Sequence, residues 1–189
     1  LTIDASQFAG VTTINNDRSS GTTTITNLPS GGTFGVIGNA STSNANALGL
    51  GYVAAAKDAV VNFSGGTLGA QAVTLTGTGL TSTTINSNGV ANVTGAFTDA
   101  ATSKTLTINA ISGLTTGAIG DSAARTTLTI NATGDVTTGA VTSSAATTVA
   151  ITGTGKVTTD LNAVVAPTIT VSGSYYGRAD FTTQQGKHE

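Results

Sequence analysis

The sequence predicts an all-β protein, and within that class a parallel β-solenoid. In such a fold short strands form a coil, and each turn of the chain, which we call a rung, stacks on the previous one. Three observations support this prediction. The second half of the chain repeats with a period of about 20–22 residues, apolar and polar residues alternate inside each repeat, and the composition favours strands over helices.

The composition is dominated by residues that favour extended backbone. Threonine is the most frequent residue type, and like Val and Ile it has a branched Cβ that suits a pleated surface. Charged residues are only 8% of the chain, so the Lys and Glu that usually cover exposed helices are scarce. Hydrophobic residues make up 38% and are regularly spaced, which distinguishes the chain from a disordered polar segment.

The repeat is clearest where the phrase TLTINA at 105–110 returns at 127–132. Apolar residues then fall into two columns that are separated by two positions along each strand. The columns are Leu106, Leu128, Val149 and Ile169, and Ile108, Ile130, Ile151 and Val171. A single rung of this kind cannot bury its apolar side, whereas stacked rungs bury a continuous interior. Glycines between the strands are expected at the corners, where tight turns need them.

Threonines occupy the alternate positions of the same strands, and these positions are predicted to face outwards. They form two ladders, the second of which is interrupted by Ala150. The ladder residues are Thr105, Thr127, Thr148 and Thr168, and Thr107, Thr129 and Thr170. Two interpretations stand: threonine satisfies β-propensity here without charge, or its hydroxyls and methyls form a regular surface that binds ice or another ordered surface. Asn109 and Asn131 stack one place beyond the second apolar column, with Thr152 and Ser172 following, and predict a short polar ladder at a corner.

The predicted solenoid covers residues 1–173, with irregular rungs at 1–103 and regular rungs at 104–173. Residues 174–189 differ in composition and are predicted to be a terminal rung, a linker or the start of another domain. About nine rungs of roughly 4.8 Å each would give a rod on the order of 40–45 Å long. A β-sandwich is the alternative, because the first half lacks a clean register, but the scarcity of Asn-Gly hairpin turns favours the solenoid.

Several functional classes need residues that this chain has in small number or lacks. We predict that it is not an enzyme, because its only histidine, His188, lies in a polar tail and its acids are scattered rather than paired. Seven Lys and Arg residues, with a net charge of −2, predict no surface for nucleic acid. No apolar run is long enough for a membrane-spanning helix, and the lack of cysteine excludes disulfides and thiolate metal sites.

Calcium is the one cofactor that the sequence suggests. Asp121 and Asp135 each follow a glycine, as in part of the glycine-aspartate repeats that bind calcium in some secreted proteins. The same Gly-Asp pair also suits a corner, where the carboxylate accepts hydrogen bonds from local backbone N–H groups. If calcium binds, the candidate ligands are Asp121, Asp135 and Asp160, supplemented by backbone carbonyls.

Several phrases of the sequence resemble one group of proteins. LTIDASQFAG at 1–10, NFSGGT at 62–67, VTLTGTGLTSTTINS at 73–87 and the LTINA repeats are similar to segments of bacterial S-layer proteins and related type I-secreted (RTX-related) surface proteins. The resemblance implies an extracellular β-solenoid at the bacterial cell surface, anchored through another domain and often held together by Ca²⁺. The chain departs from the pattern because it lacks repeated glycine-aspartate nonapeptides.

From these observations we expect a structural component of a bacterial extracellular surface layer or matrix. Its predicted partners are copies of itself, joined through the ends and sides of the solenoid into a lattice or filament. Cell-surface polysaccharide is a further predicted partner, through another domain. The alternative is an adhesin stalk, or an ice- or surface-binding module that uses the outward threonine ladders.

Overall fold

A computed structural model shows the predicted parallel β-solenoid, with about 7 turns. It describes residues 1–17, 21–37, 47–65, 72–120, 122–164, 168–173 and 180–182. The described strands form three sheets, which we call the first, middle and third sheets, and neighbouring strands within each sheet run parallel. One short 3-10 helix, Ala5–Gln7, follows the first strand.

The strands of each sheet follow one another along the solenoid in chain order. The first sheet holds β1 (Thr2–Asp4), β3 (Thr23–Leu28), β5 (Leu48–Tyr52), β7 (Val73–Thr76) and β10 (Phe97–Thr98). The middle sheet holds β2 (Thr13–Asp17), β4 (Thr33–Ile37), β6 (Asp58–Ser64), β8 (Ser82–Asn88), β11 (Thr105–Ala110), β13 (Thr127–Ala132), β15 (Thr148–Gly153) and β17 (Thr168–Ser172). The third sheet holds β9 (Asn92–Val93), β12 (Leu114–Thr116), β14 (Val136–Ser143), β16 (Val157–Val164) and β18 (Asp180–Thr182).

Two kinds of rung follow one another along the chain. From β1 to β8 the strands alternate between the first and middle sheets, and from β11 onwards they alternate between the middle and third sheets. Beyond β10 the first sheet is continued in the described residues by the isolated bridges Phe97–Ile119 and Ile119–Val141. The middle sheet therefore runs through both kinds of rung and carries the common register.

The predicted apolar columns are confirmed as the interior of the solenoid. Leu106 pairs with Leu128, and Ile108 pairs with Ile130, in direct register. Both columns are buried through β15, because alternate side chains of these strands point to the same inner side. Full burial of one Leu or Ile stabilises the fold by about 1.5–3 kcal/mol, so the stacked columns are the main favourable contribution.

The prediction of about nine rungs is wrong, since the described residues form about 7 turns and most of the early rungs are longer than the repeat of the second half. Thr33 pairs with Val60, 27 positions further along the chain, whereas Thr148 pairs with Thr168, 20 positions further along. Residues 1–103 and 104–173 share the middle sheet, which runs from β2 to β17, and β18 pairs with β16 beyond residue 173. The proposed boundary at residue 173 stays a prediction.

Candidate functional site

The predicted threonine ladders lie on the outer side of the middle sheet. Thr105 pairs with Thr127, Thr127 with Thr148, and Thr148 with Thr168. The second ladder runs in the same way through Thr107, Thr129, Ala150 and Thr170. In β11 and β13 these threonines are half-buried while the residues between them are buried, so their side chains face away from the interior.

An asparagine ladder runs beside the threonine ladders and is longer than the sequence predicted. Each Nδ2 donates a hydrogen bond to the Oδ1 of the asparagine on the preceding rung. The bonds are Asn86 to Asn62 at 2.7 Å, Asn109 to Asn86 at 2.9 Å, and Asn131 to Asn109 at 2.8 Å. Thr152 Oγ1 ends the described series by donating to Asn131 Oδ1 at 2.7 Å. The ladder thus joins five successive rungs by side chains as well as by backbone.

These columns form a continuous uncharged surface, which we call the Thr/Asn face. It consists of the outward residues of β8, β11, β13, β15 and β17, and none of these five strands contains a charged residue. Rungs are spaced about 4.8 Å apart, and alternate residues along a strand lie about 6.6 Å apart. The face therefore presents hydroxyl, methyl and amide groups on a regular two-dimensional grid.

The acidic residues singled out for calcium are not gathered at one point in the described part of the chain. Asp135 precedes β14, and its Oδ1 accepts a hydrogen bond from the backbone N–H of Lys156 at 2.9 Å. Asp160 lies inside β16, where it pairs with Ala140. Since Lys156 lies four positions before Asp160, the two carboxylates are about 13 Å apart along the strand direction. Calcium–oxygen distances are about 2.3–2.6 Å, so Asp135 and Asp160 would serve different ions.

Asp121 and His188 lie outside the described residues. Among the described residues, no three His, Cys, Asp or Glu side chains lie close enough together to hold a metal ion. The hydrogen bond of Asp135 comes from the next rung, 21 positions along the chain, whereas the corner interpretation expected a local backbone N–H donor. Calcium binding by this segment stays a prediction.

Among the described residues, Asp4 and Tyr52 have pKa values that their surroundings shift. Asn27 donates a hydrogen bond to Asp4 Oδ1 at 2.8 Å, and the Ser6 hydroxyl and backbone N–H donate at 2.7 and 3.0 Å. These bonds lower the pKa of the Asp4 carboxyl, which caps the short helix that follows it. Burial raises the pKa of Tyr52 to about 12, because ionisation of the phenol would place a charged phenolate in the interior.

A buried ion pair, which was not predicted from the sequence, lies where the first sheet ends. Arg125 Nη2 lies 3.3 Å from Asp99 Oδ2, and neither side chain is exposed to solvent. Arg125 also donates to two backbone carbonyls, from Nη1 to Thr142 at 3.1 Å and from Nη2 to Gly120 at 3.1 Å. A buried charge is tolerated only when it is paired and hydrogen-bonded, and these contacts supply both conditions at Nη1 and Nη2, while Nε is buried without a partner among the described residues.

Small hydroxyl residues complete the surroundings of the pair. Asp99 Oδ1 accepts hydrogen bonds from Thr83 Oγ1 at 2.7 Å and from the Ala100 N–H at 2.8 Å. Ser103 Oγ contacts Thr83 Oγ1 at 3.2 Å, and Ser122 Oγ donates to the Ser103 carbonyl at 2.6 Å. We call Thr83, Asp99, Ser103, Ser122 and Arg125 the corner network. All five residues are buried, so the network has no direct access to a solvent-borne ligand.

A second feature missed from the sequence is a column of inward threonines in the third sheet. Thr94, Thr116, Thr138 and Thr159 are all buried. The hydroxyls of Thr138 and Thr159 contact each other at 2.7 Å, and Thr116 Oγ1 donates to the Gly117 carbonyl at 3.0 Å. The consecutive threonines in the sequence could have predicted this inward column, since one of any two consecutive residues in a strand must face inwards.

No protein-family model, no curated protein and no solved structure matches this chain. Within the described residues, no helix has the length and apolar character to cross a membrane. The chain's own distinguishing features are an uncharged outer face, a hydrogen-bonded asparagine ladder and a buried polar corner.

Proposed function

We propose that this chain is a structural segment of a bacterial extracellular surface layer or matrix, which associates with copies of itself. The observation that carries the proposal is the Thr/Asn face, which spans five strands without a charged residue. Two such faces can approach each other without burying an unpaired charge, and a burial of that kind is among the costliest events at an interface.

The ends of the solenoid offer a second route of association in this proposal. Ile169 and Val171 of β17 are 37% and 39% exposed, whereas their register partners Val149 and Ile151 are fully buried. A further strand added at this edge would bury both residues and pair their backbone. The extracellular location, secretion and a contribution from Ca²⁺ rest on the resemblance to S-layer and type I-secreted surface proteins. The proposal includes no catalytic step.

Electron microscopy and sedimentation of the purified chain, with and without Ca²⁺, test this proposal. We expect sheets or filaments for the wild type. A Thr107→Lys/Thr129→Lys variant should remain folded but dispersed, because it places two charges on the Thr/Asn face. Thr137→Lys is the matched control, since Thr137 is exposed on the third sheet and its variant should still assemble. A wild type that stays monomeric at high concentration in both conditions would contradict the proposal.

The second candidate function is an adhesin stalk or an ice- or surface-binding module. The regular grid of the Thr/Asn face favours it, because repeated hydroxyls can match a repeated lattice of acceptors and donors. Dispersed wild-type monomers that halt ice growth, or that bind a crystalline polysaccharide, would favour this candidate over self-association. The Thr107→Lys/Thr129→Lys variant should then lose that binding while Thr137→Lys keeps it.

A further inference from the structure

The apolar pattern alone does not determine how the regular rungs pair. Strands β11 and β13 have the same sequence, TLTINA, with apolar residues at every second position. A slip of one residue would turn the apolar side chains outwards, but a slip of two residues keeps them all inside. Some other contact must distinguish the native register from the slipped one.

The corner that precedes each middle-sheet strand repeats closely along the chain. A backbone hydrogen bond spans three residues at four of these corners, from Ala56 to Val53, Ser103 to Ala100, Arg125 to Ser122, and Ala146 to Ser143. The last residue of each corner lies two positions before its strand and is buried. On successive rungs these residues are Ala56, Leu80, Ser103, Arg125 and Ala146. Arg125 is thus a charged exception in a column of small or apolar residues.

Arg125 also holds three successive rungs together. It contacts the Asp99 carboxylate on the preceding rung, the Gly120 carbonyl on its own rung, and the Thr142 carbonyl on the next. Thr98 and Thr74 pair at the end of the first sheet, so the position of Asp99 is occupied by Leu75 one rung earlier. Leucine is therefore used by the chain itself at both positions of the ion pair.

We propose that the Asp99–Arg125 pair fixes the pairing register of the rungs around it. A slip of two residues would move Arg125 by about 6.6 Å along the strand direction. Both charges would then be buried without a partner, while the apolar side chains of the two strands would still face the interior. The pair therefore opposes the two-residue slips that the apolar pattern allows, and fixing register is the best attested role of buried polar groups. This inference does not depend on what the Thr/Asn face binds.

Cysteine pairs can report the register, because the chain contains no cysteine of its own. Thr107→Cys/Thr129→Cys reports the native register, since these residues are direct partners. Thr105→Cys/Thr129→Cys and Thr107→Cys/Thr127→Cys report the two-residue slips. Their Cα atoms are roughly 8 Å apart in the native register, which is beyond the reach of a disulfide at about 7 Å. Each pair is refolded under oxidising conditions and the cross-linked fraction is measured.

The decisive comparison uses the double variant Asp99→Leu/Arg125→Leu, called the Leu/Leu variant, which replaces the pair by residues found in the same columns. With the pair intact, we expect the native reporter to cross-link and the slip reporters to stay at background. In the Leu/Leu variant, the cross-linked fraction of a slip reporter should rise to a value comparable with that of the native reporter. Native cross-links alone in a folded Leu/Leu variant would overturn the proposal.

A matched control and a second variant complete the design. Thr138→Val removes a buried contact to Thr159 outside the corner network, and it should leave the slip reporters at background. Slip cross-links in this control would also overturn the proposal, because the slip would not depend on the pair.

If the Leu/Leu variant does not fold, the variant Asp99→Asn/Arg125→Gln, which keeps polar groups without charge, is tested in the same way. If neither variant folds, the pair is required for folding itself and not for register, and the proposal fails.

Discussion

Gly153 shows how closely the backbones of successive rungs approach at the end of a middle-sheet strand. Its φ is +117°, and a Cβ added to it would overlap the carbonyl oxygen of Ala132 on the preceding rung. Gly49 lies in β5, where an added Cβ would meet only the Thr24 side chain, at 3.7 Å. The two glycines therefore serve different purposes: Gly153 makes the close approach possible, and Gly49 only reduces the bulk of the outer surface.

We expect Gly153→Ala to lower the free energy of unfolding by about 1–3 kcal/mol, because of backbone strain and the overlap with Ala132. Gly49→Ala should be neutral or stabilising by about 0.4–1 kcal/mol, because alanine restricts the unfolded chain. Urea unfolding of both variants measures the difference. Equal effects at the two positions would contradict the role given to Gly153.

Tyr52 is expected to make the free energy of unfolding fall as the pH rises into the alkaline range. Its pKa is raised to about 12 in the folded protein, against about 10 in an unfolded chain. The neutral phenol is therefore favoured by folding, so this stabilisation is complete below pH 10 and is lost as the pH rises towards 12. The full loss is about 3 kcal/mol. Unfolding measured between pH 9 and 12 should show this decline in the wild type, and Tyr52→Phe should lack the tyrosine contribution to it.

At the scale of the element, the asparagine ladder adds side-chain bonds to a sheet that its backbone already holds together. Asn109 is central, because it donates to Asn86 and accepts from Asn131. Each hydrogen bond contributes about 0.5–1.5 kcal/mol net, and a half-buried amide left without its partner adds to the loss.

Asn109→Ala should therefore lower the free energy of unfolding by about 1–3 kcal/mol, because it removes two bonds of the ladder. Thr105→Ala on the same strand is the matched control, and it should cost less than about 1 kcal/mol through β-propensity alone. Chemical denaturation of both variants is the measurement. A smaller effect at Asn109 than at Thr105 would show that the ladder does not stabilise the sheet.

Elements of the middle sheet could be predicted because two periods coincide in their sequence. The alternation inside TLTINA gives the inward side, and the return after about 21 residues gives the stacking of Leu106 on Leu128. The corner network was missed because it departs from the repeat. One signal was available, since Arg125 lies two positions before its strand where Leu80 and Ala146 are found, but its partner Asp99 can be identified only from the fold.

At the scale of the whole molecule, the solenoid is a stack in which each rung contacts mainly its neighbours. Such proteins gain and lose stability rung by rung, and a complete rung can be removed if the ends that remain are in register. The early rungs did not follow the repeat because their connections are longer, and connection length is weakly constrained by stability. This is why the sequence predicted the architecture but gave too many rungs.

Deleting residues 127–147 joins Thr126 to Thr148 and should yield a folded solenoid that is one rung shorter, by about 4.8 Å. Thr107 would then lie opposite Ala150, because Thr129 was the partner of both. A Thr107→Cys/Ala150→Cys cross-link that forms in the deletion variant and not in the full chain measures this outcome. Failure of the cross-link in a folded variant would contradict the rung-by-rung description.

The deletion of residues 105–126 is a matched control of nearly equal length. It also removes one rung, but it takes away Arg125 and leaves the Asp99 carboxylate in the interior. Removing one partner of a buried ion pair costs about 3–5 kcal/mol, so this variant should be far less stable than the other. Equal stability of the two deletions, measured by urea unfolding, would show that the pair is dispensable.

The division of the Asp99–Arg125 pair between two rungs also limits how a gene for this protein can grow or shrink. Repeats of this kind arise when a DNA segment that encodes one unit is duplicated or lost. A copy of the Arg125 unit alone would bring a second buried cation with no carboxylate, and loss of either unit would leave one buried charge without its partner. Across residues 99–125 the coding sequence can therefore change only in blocks that keep both partners, whereas the units on the C-terminal side can be duplicated singly.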